Sequence, residues 1–490
     1  MLLIFKYIIK LPGGFSGPLR SCIIKGMIPL MLAFSGLIIP VNSLYASDES
    51  TSLKLDELDK AYQLQSRDFY RHAIKTNLFQ LQKTKTISAL KTQVDMLLKA
   101  GKTVQAIALI EFNFPLLRNH IDAIETIQMT ETILEHNHWF LAKKIYETAE
   151  LEAGKVAMSN ISFVFAKYYM ARKDWQMALK YLKGIINELS DENADYARIM
   201  VGTILQYQKK HREAISYYQK VKKESRHYPA AVLNTAVAYI RQDWWTDAYV
   251  LVNDLIKNQQ QQINDHMLDR LNLTIGYALL RKQYFRNSRD AFRNIGLNGP
   301  YSNRALLGLA LTAANQEDYI GALNAITILK GRKSTDLSVE EAYLLLPYTY
   351  GKLKQNLTAT SAYTDAIKYY QERISSMQAL NETGSNLLTK ISLPSDKTWL
   401  VINNNIFNYS RHYPRSFFDN YRHLSAISKH VKATDNIGPQ HQKLVTQYRR
   451  SLQSMSQKMI TERIEFLQSY LNQARYGLAR LYDSTLVSTQ

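Results

Sequence analysis

SNISFVFAKYYMARKDWQMALKYLKGIINELSDE, residues 159–192, is one turn of a pattern that runs through the middle of this chain. Phe165, Ala166 and Tyr169 stand at helical spacing in its first half, and Trp175, Ala178, Leu182 and Ile185 in its second. Outward from Ala178, small residues recur at Ala106, Ala142, Ala178, Ala214, Ala248, Ser288, Ala322 and Ala359, separated by 36, 36, 36, 34, 40, 34 and 37 positions. Each is followed four positions later by an apolar residue: Ile110, Tyr146, Leu182, Tyr218, Val252, Phe292, Ile326 and Tyr363. In most units a second small residue falls twelve positions earlier, as Ala166, Gly202, Ala236, Gly276 and Ala310. Two helices that cross closely need a small side chain on each. An amphipathic helix alone recurs every 3.6 residues, not every 36, so the long period marks a repeated helical hairpin.

Four second helices are expected to open on an aromatic residue, Trp175, Trp245, Phe285 and Tyr319, with His211 breaking the series. Pro300 and Pro229 stand near unit ends. On these residues the chain resembles the tetratricopeptide repeat (TPR). The resemblance implies an all-α, TPR-like helical-hairpin solenoid, followed by a helical C-terminal region with a long terminal helix. It also implies a binding surface rather than an enzyme. The expected organisation is a signal peptide or N-terminal membrane anchor over 1–46, irregular N-terminal helical repeats over 47–158 and a core array over 159–378. A linker with a short helical region follows over 379–439, and a long amphipathic helix over 440–490.

The leader is read from Lys6, Lys10, Arg20 and Lys25 ahead of an apolar stretch, Met27 to Val41, with no acidic residue before Asp48. That stretch suits a signal-peptide core and is short for a membrane span. Either Met1 or Met27 can serve as the start, and the protein is expected in the periplasm or held at the inner membrane. Cys22, the one cysteine, lies inside the leader, so no disulfide or cysteine-based metal site is expected beyond it. The remainder carries 57 Lys and Arg against 42 Asp and Glu, a net of +15. Residues 376–490 contribute 14 basic and 7 acidic residues to that balance. Basic chains often bind nucleic acid. Export argues against it here and favours anionic envelope partners.

By the TPR resemblance, the second, fifth, ninth, twelfth and thirteenth positions of each unit line a concave groove. The partner-binding residues so assigned are Asn160, Lys167, Tyr196, Gln206, Tyr207, Arg241, Arg270, Tyr277, Arg281, Arg304 and Asn315. Lys167, Arg241, Arg270, Arg281 and Arg304 meet no acid among these positions, whereas the preceding unit offers Glu131 and Glu135. Arg and Tyr give large contact area and directed hydrogen bonds, the chemistry of binding hot spots. The fifth position reads Phe163, Ile199, Leu233, Leu273 and Leu307, so a lysine clamp for C-terminal carboxylates is missing. That row is either an apolar part of the groove or filled by a neighbouring element.

After Gln378 the repeat fades. Asn381 to Pro394 reads as an irregular connection, Trp399 to His412 as helix or strand, and Ser416 to Val431 as helix. From Gln440 to Tyr482, Val445, Tyr448, Leu452, Met455 and Met459 form one stripe. Ile464, Leu467, Leu471, Ala474, Leu478 and Leu481 form another, with a phase break near Ile460. Such a helix must bury its stripes against the array or in a coiled coil with another chain. The interruption favours the array.

No Gly-rich phosphate loop, nucleophile elbow or zinc-binding helix pattern is present in the sequence. His136 and His138 would point apart on a helix, and His412, His423, His430 and His441 are expected in solvent. Glu340 and Glu341 sit where a helix start favours negative charge. No cofactor or metal is implied. The leading expectation is an exported, periplasmic scaffold that binds an envelope protein or peptide of acidic character. The alternative is an accessory factor whose basic C-terminal region engages anionic lipid or glycan.

Overall fold

The computed structural model describes residues 46–259, 265–332, 336–392, 399–403, 405–408, 415–432 and 435–487. The leader, with Cys22 and both candidate starts, lies outside the described residues except for its last position, as does His412. The chain divides into two compact units, Met1–Lys60 and Ala61–Gln490, and all the repeats lie in the second.

Helix α1 spans Ala46–Lys75. Eight helical hairpins follow. The first pairs α2 (Ile87–Lys99) with α3 (Thr103–Phe112), and a short α4 (Phe114–Asn119) leads to α5 (Ile124–Glu135) and α6 (Trp139–Glu152). Next come α7 (Lys155–Ala171) with α8 (Trp175–Leu182), and α9 (Asp191–Tyr207) with α10 (His211–Tyr218). Then α11 (Tyr228–Arg241) pairs with α12 (Trp245–Gln259), and α13 (Asp265–Arg281) with α14 (Phe285–Arg293). The last two are α15 (Ser302–Asn315) with α16 (Tyr319–Lys330), and α17 (Leu337–Lys352) with α18 (Asn356–Asn381). The aromatic residues read as second-helix starts are the first residues of α8, α12, α14 and α16, and His211 is the first residue of α10.

One backbone corner is used eight times. Gly101, Asn137, Lys173, Lys209, Asp243, Gln283, Glu317 and Lys354 all take φ between +60° and +70°. Each stands five positions before a member of the small-residue series, so sequence period and backbone geometry coincide. The next N–H reaches back five residues: Lys102 N to Leu97 O at 2.8 Å, Asp174 N to Tyr169 O at 3.0 Å, Gln355 N to Tyr350 O at 3.0 Å. This bond closes carbonyls that a helix C-terminus otherwise leaves unpaired. The first two hairpins, expected to be irregular, share the corner in full. The TPR-like helical-hairpin solenoid is therefore a property of the whole run from α2 to α18.

Close crossings follow the small residues. A methyl group on Gly276 would stand 2.6 Å from the Phe292 ring, and one on Gly202 or Gly308 would likewise overlap Tyr218 or Phe292. Phe292 is thus held between two glycine-bearing helices, α13 and α15. Asp195 and Asp269, both buried on first helices, accept from backbone N–H groups of the loops 27 residues on, at Lys222 (3.4 Å) and Gly296 (3.3 Å).

Beyond α18 the expected linker is folded. A 3-10 segment, Gly384–Lys390, leads to a three-stranded antiparallel sheet of β1 (Ile391–Ser392), β2 (Trp399–Ile402) and β3 (Asn405–Asn408), with Val401 opposite Ile406. Asn403, which follows β2, takes φ +45°, a region asparagine tolerates well. The rest is α19 (Arg415–Ile427) and α20 (Gly438–Val487), whose 50 residues extend about 75 Å.

Helix α20 docks within its own chain. Its C-terminal half lies antiparallel on α18: Tyr470 meets Tyr370 with ring centroids 5.7 Å apart, and a methyl on Gly477 would stand 2.6 Å from Tyr363. Gly477 meets Tyr363 as Gly308 meets Phe292, so α20 occupies the place of a ninth first helix. Beneath it Glu340, fully buried, pairs with Arg373 of α18 at 3.1 Å and with Arg463 of α20 at 3.0 Å. Glu341 accepts from the Tyr470 hydroxyl at 2.8 Å. The acidic pair does stand at a helix start, with Glu340 in the first turn of α17, and both carboxylates are in addition structural anchors for α20.

Candidate functional site: the basic groove

Ten of the eleven groove residues share one helical face. Counted back from the corner residue, Asn160, Tyr196, Arg270 and Arg304 fall at thirteen, Lys167 and Tyr277 at six, and Tyr207, Arg241, Arg281 and Asn315 at two. Offsets of seven and eleven return to the same side of a helix. Gln206 falls at three and is rotated off that face. It is buried, and its side-chain amide donates to the Asn234 carbonyl at 2.8 Å, so it belongs to the packing. The apolar fifth-position row, Phe163, Ile199, Leu233, Leu273 and Leu307, is also buried, filled by neighbouring helices.

Several groove side chains are partly committed. Lys167 pairs with Glu131, so it is not an uncompensated charge. The Tyr277 hydroxyl donates to the Arg304 carbonyl at 2.7 Å, and burial pushes its pKa up. Asn160 and Asn315 bond back to Val156 O and Leu311 O in their own helices. Tyr207 is exposed and stacks on Trp175 at 4.3 Å; Tyr196 stacks on His227 at 5.0 Å. These stacks lock aromatic faces in place before any ligand arrives.

Four arginines remain. Arg241, Arg270, Arg281 and Arg304 are exposed and form no ion pair among the described residues, and Arg304 lies 5.9 Å over the Tyr277 ring. Some other cations of the array do find partners: Lys222 with Asp191 at 2.6 Å, Lys282 with Asp243 at 3.0 Å, Arg289 with Asp318 at 2.7 Å. A recess of about 380 Å³ between α14, α15 and α16 has Arg289 and Arg293 at its mouth, both facing aspartates. Charge is thus left open along one face of the first helices. Sequence reasoning missed Trp244, exposed beside the Asp243 corner with Arg212 5.6 Å over its ring; its place just after the corner residue was the available signal.

The first and last elements of the second unit meet in a separate polar cluster. Here the expectation of solvated histidines is corrected. His423 of α19 is buried; its Nδ1–H donates to the His136 carbonyl at 2.7 Å and its Nε2 accepts from the Tyr70 hydroxyl at 2.8 Å. Burial holds its pKa down at about 3. Asn137, the corner residue of the second hairpin, donates to Asn420, which donates to Tyr448 Oη at 3.0 Å. His441, also buried, contacts Ser428 Oγ through Nε2 at 2.8 Å, while His430 is exposed and edge-on to Phe79. His138 bridges Ser66 Oγ (3.0 Å) and Glu111 Oε2 (3.3 Å). Ser66 has no exposed surface, so this trio joins helices rather than offering a nucleophile.

No protein-family model matches the chain, and no curated protein matches it. Solved structures to which it is similar include the apo form of the quorum sensor NprR from B. thuringiensis (14% identity, 66% of this chain and 97% of that one, TM-score 0.33). Others are the apo form of RapI (12%, 75% and 98%, 0.41) and the P58(IPK) TPR domain (12%, 83% and 99%, 0.21). The repeat architecture stands on the eight corners independently of these neighbours.

Proposed function

We propose that this chain is a non-enzymatic binding scaffold whose groove receives an acidic segment of another protein. The observation that carries this is the row of four exposed arginines, Arg241, Arg270, Arg281 and Arg304, that form no ion pair among the described residues, whereas Lys167 on the same face is paired with Glu131. A guanidinium left open presents a planar donor fork to carboxylates. The stacked Tyr207 and Tyr196 add rigid contact area. Because the face is preformed, little ordering is needed on binding. The finer reading places the scaffold in the periplasm, exported or held by its leader, with an envelope protein as partner. Capture of a protein from the native cell envelope tests it: replacing Arg270, Arg281 and Arg304 together by Ala should abolish capture, and undiminished capture would refute the groove.

A second reading rests on α20. Lys443, Arg449 and Arg450 are exposed on its N-terminal half without an ion pair among the described residues, and suit anionic lipid or glycan. Binding to anionic vesicles that survives the groove substitutions and falls with salt would favour it.

A further inference from the structure

The C-terminal elements do more than cap the last hairpin. The C-terminal half of α20 sits on α17 and α18, while its N-terminal half, with α19, reaches α1, α3 and the α5–α6 corner. Ile427 enters the apolar core of the first hairpins, with Phe417 stacked on Tyr448 at 5.0 Å. The array is closed upon itself by a clasp. Two buried histidines stand in this clasp, His423 bonded to α1 and the α5–α6 corner and His441 to Ser428 in the α19–α20 connection, and neither is hydrogen-bonded to a carboxylate.

We propose that the clasp is an acid-released latch: proton uptake at His423 and His441 parts α19 and the start of α20 from the first hairpins while the array stays folded. The hydrogen bonds fix why. His423 Nδ1 must carry its proton to serve the His136 carbonyl, so Nε2 is the acceptor for Tyr70. A second proton on Nε2 would face the Tyr70 hydroxyl hydrogen, forcing that hydroxyl to turn within a closed site. The charge would find little relief. Facing it are Tyr62 and Tyr70 from α1 and His136 and His138 from the α5–α6 corner. Glu111 of α3 is already engaged by His138 Nε2, and on α19 itself Asp419 is engaged by Arg422. His441 stands in the first turn of α20, next to the α19–α20 connection. Its Nδ1 is buried without a hydrogen-bond partner, and burial lowers its pKa. Both rings therefore oppose a charge that water would accept. Because each ring takes its proton only in the open form, the open-to-closed ratio should rise about tenfold per pH unit for each proton taken up.

The test uses the full chain with Cys22→Ser and dye pairs on two sets of introduced cysteines. Met96→Cys with Gln447→Cys reads the clasp, and Tyr249→Cys with Ile320→Cys reads the array. Between pH 7 and pH 4 the clasp pair should separate with a slope of one to two protons while the array pair and total helicity hold. His423→Gln with His441→Gln should move the midpoint at least half a pH unit lower. An unchanged midpoint, or simultaneous separation of both pairs, overturns the proposal. Should the substituted chain already be open at pH 7, ring-carbon NMR of His423 in the unsubstituted chain decides. Protonation coincident with opening upholds the latch, and a ring still neutral after opening overturns it.

Discussion

Replacing Gly276 by Ala sets two known effects against each other. In an unconstrained helix the added methyl stabilises by about 1 kcal/mol, because glycine has more backbone freedom to lose. Here it would stand 2.6 Å from Phe292 Cε1 and 2.8 Å from Cδ1 and Cζ, where carbon atoms prefer about 3.5–4.0 Å. The ring has little retreat, since Gly308 of α15 also closes on it and Phe292 is buried. Overpacking of this kind costs about 1–3 kcal/mol, and a blocked ring belongs at the upper end. The expected net is a loss of about 1–2 kcal/mol. Urea denaturation should show it, and hydrogen exchange should locate it in α13–α15, since repeat arrays unfold in neighbouring parts. Gly351→Ala is the internal control: it lies in α17 with its nearest neighbour, Leu481, at 4.0 Å, and should be neutral or stabilising. If Gly276→Ala proves as stable as the control, the close-crossing account of the 36-residue period is wrong.

Other outcomes follow from the same contacts. Glu340→Ala leaves Arg373 and Arg463 facing a buried gap and should cost about 3–5 kcal/mol, read as early melting of α20 in hydrogen exchange. His423, with a folded-state pKa near 3 against an ordinary 6.5, contributes stability that is complete above about pH 6.5 and lost as pH falls toward 3. The loss, about 4–5 kcal/mol at the acid limit, is taken from closure of the clasp, and hydrogen exchange of the α19 amides across that range should trace it. Lys209→Gly should be neutral or stabilising by up to ~1 kcal/mol, because the corner backbone strains a side chain there; a clear loss would mean that the lysine side chain matters.

Much of the fold was legible because the corner repeats. A left-handed residue, a five-residue step and a small side chain recur at fixed offsets, so the period survives even where residues such as Ala142 sit in degenerate surroundings. That ten of the eleven assigned residues share one helical face was legible for the same reason, and Gln206 misses that face by a single position, which on a helix is a rotation of about 100°. Charge compensation was not legible. Lys167 and Arg270 look alike in sequence, yet Glu131 from the preceding hairpin neutralises only the first. The clasp was the least legible part. Tyr70 lies 353 positions from His423, and no local pattern distinguishes that histidine from the exposed His430.

The course of α20 has a consequence for how the repeats are counted. A solenoid of stacked hairpins carries no internal instruction to stop, because each new pair presents the surface the next would need. Its two terminal faces are therefore both sites for unwanted stacking against other copies. In this chain one helix seals the final face by taking the place of a further repeat, while at the other end α1 packs into the core of the first hairpins. Stopping at the last face thus depends on a single helix. Loss of that helix would uncover a sticky face, turning a finite body into a unit able to add to another copy.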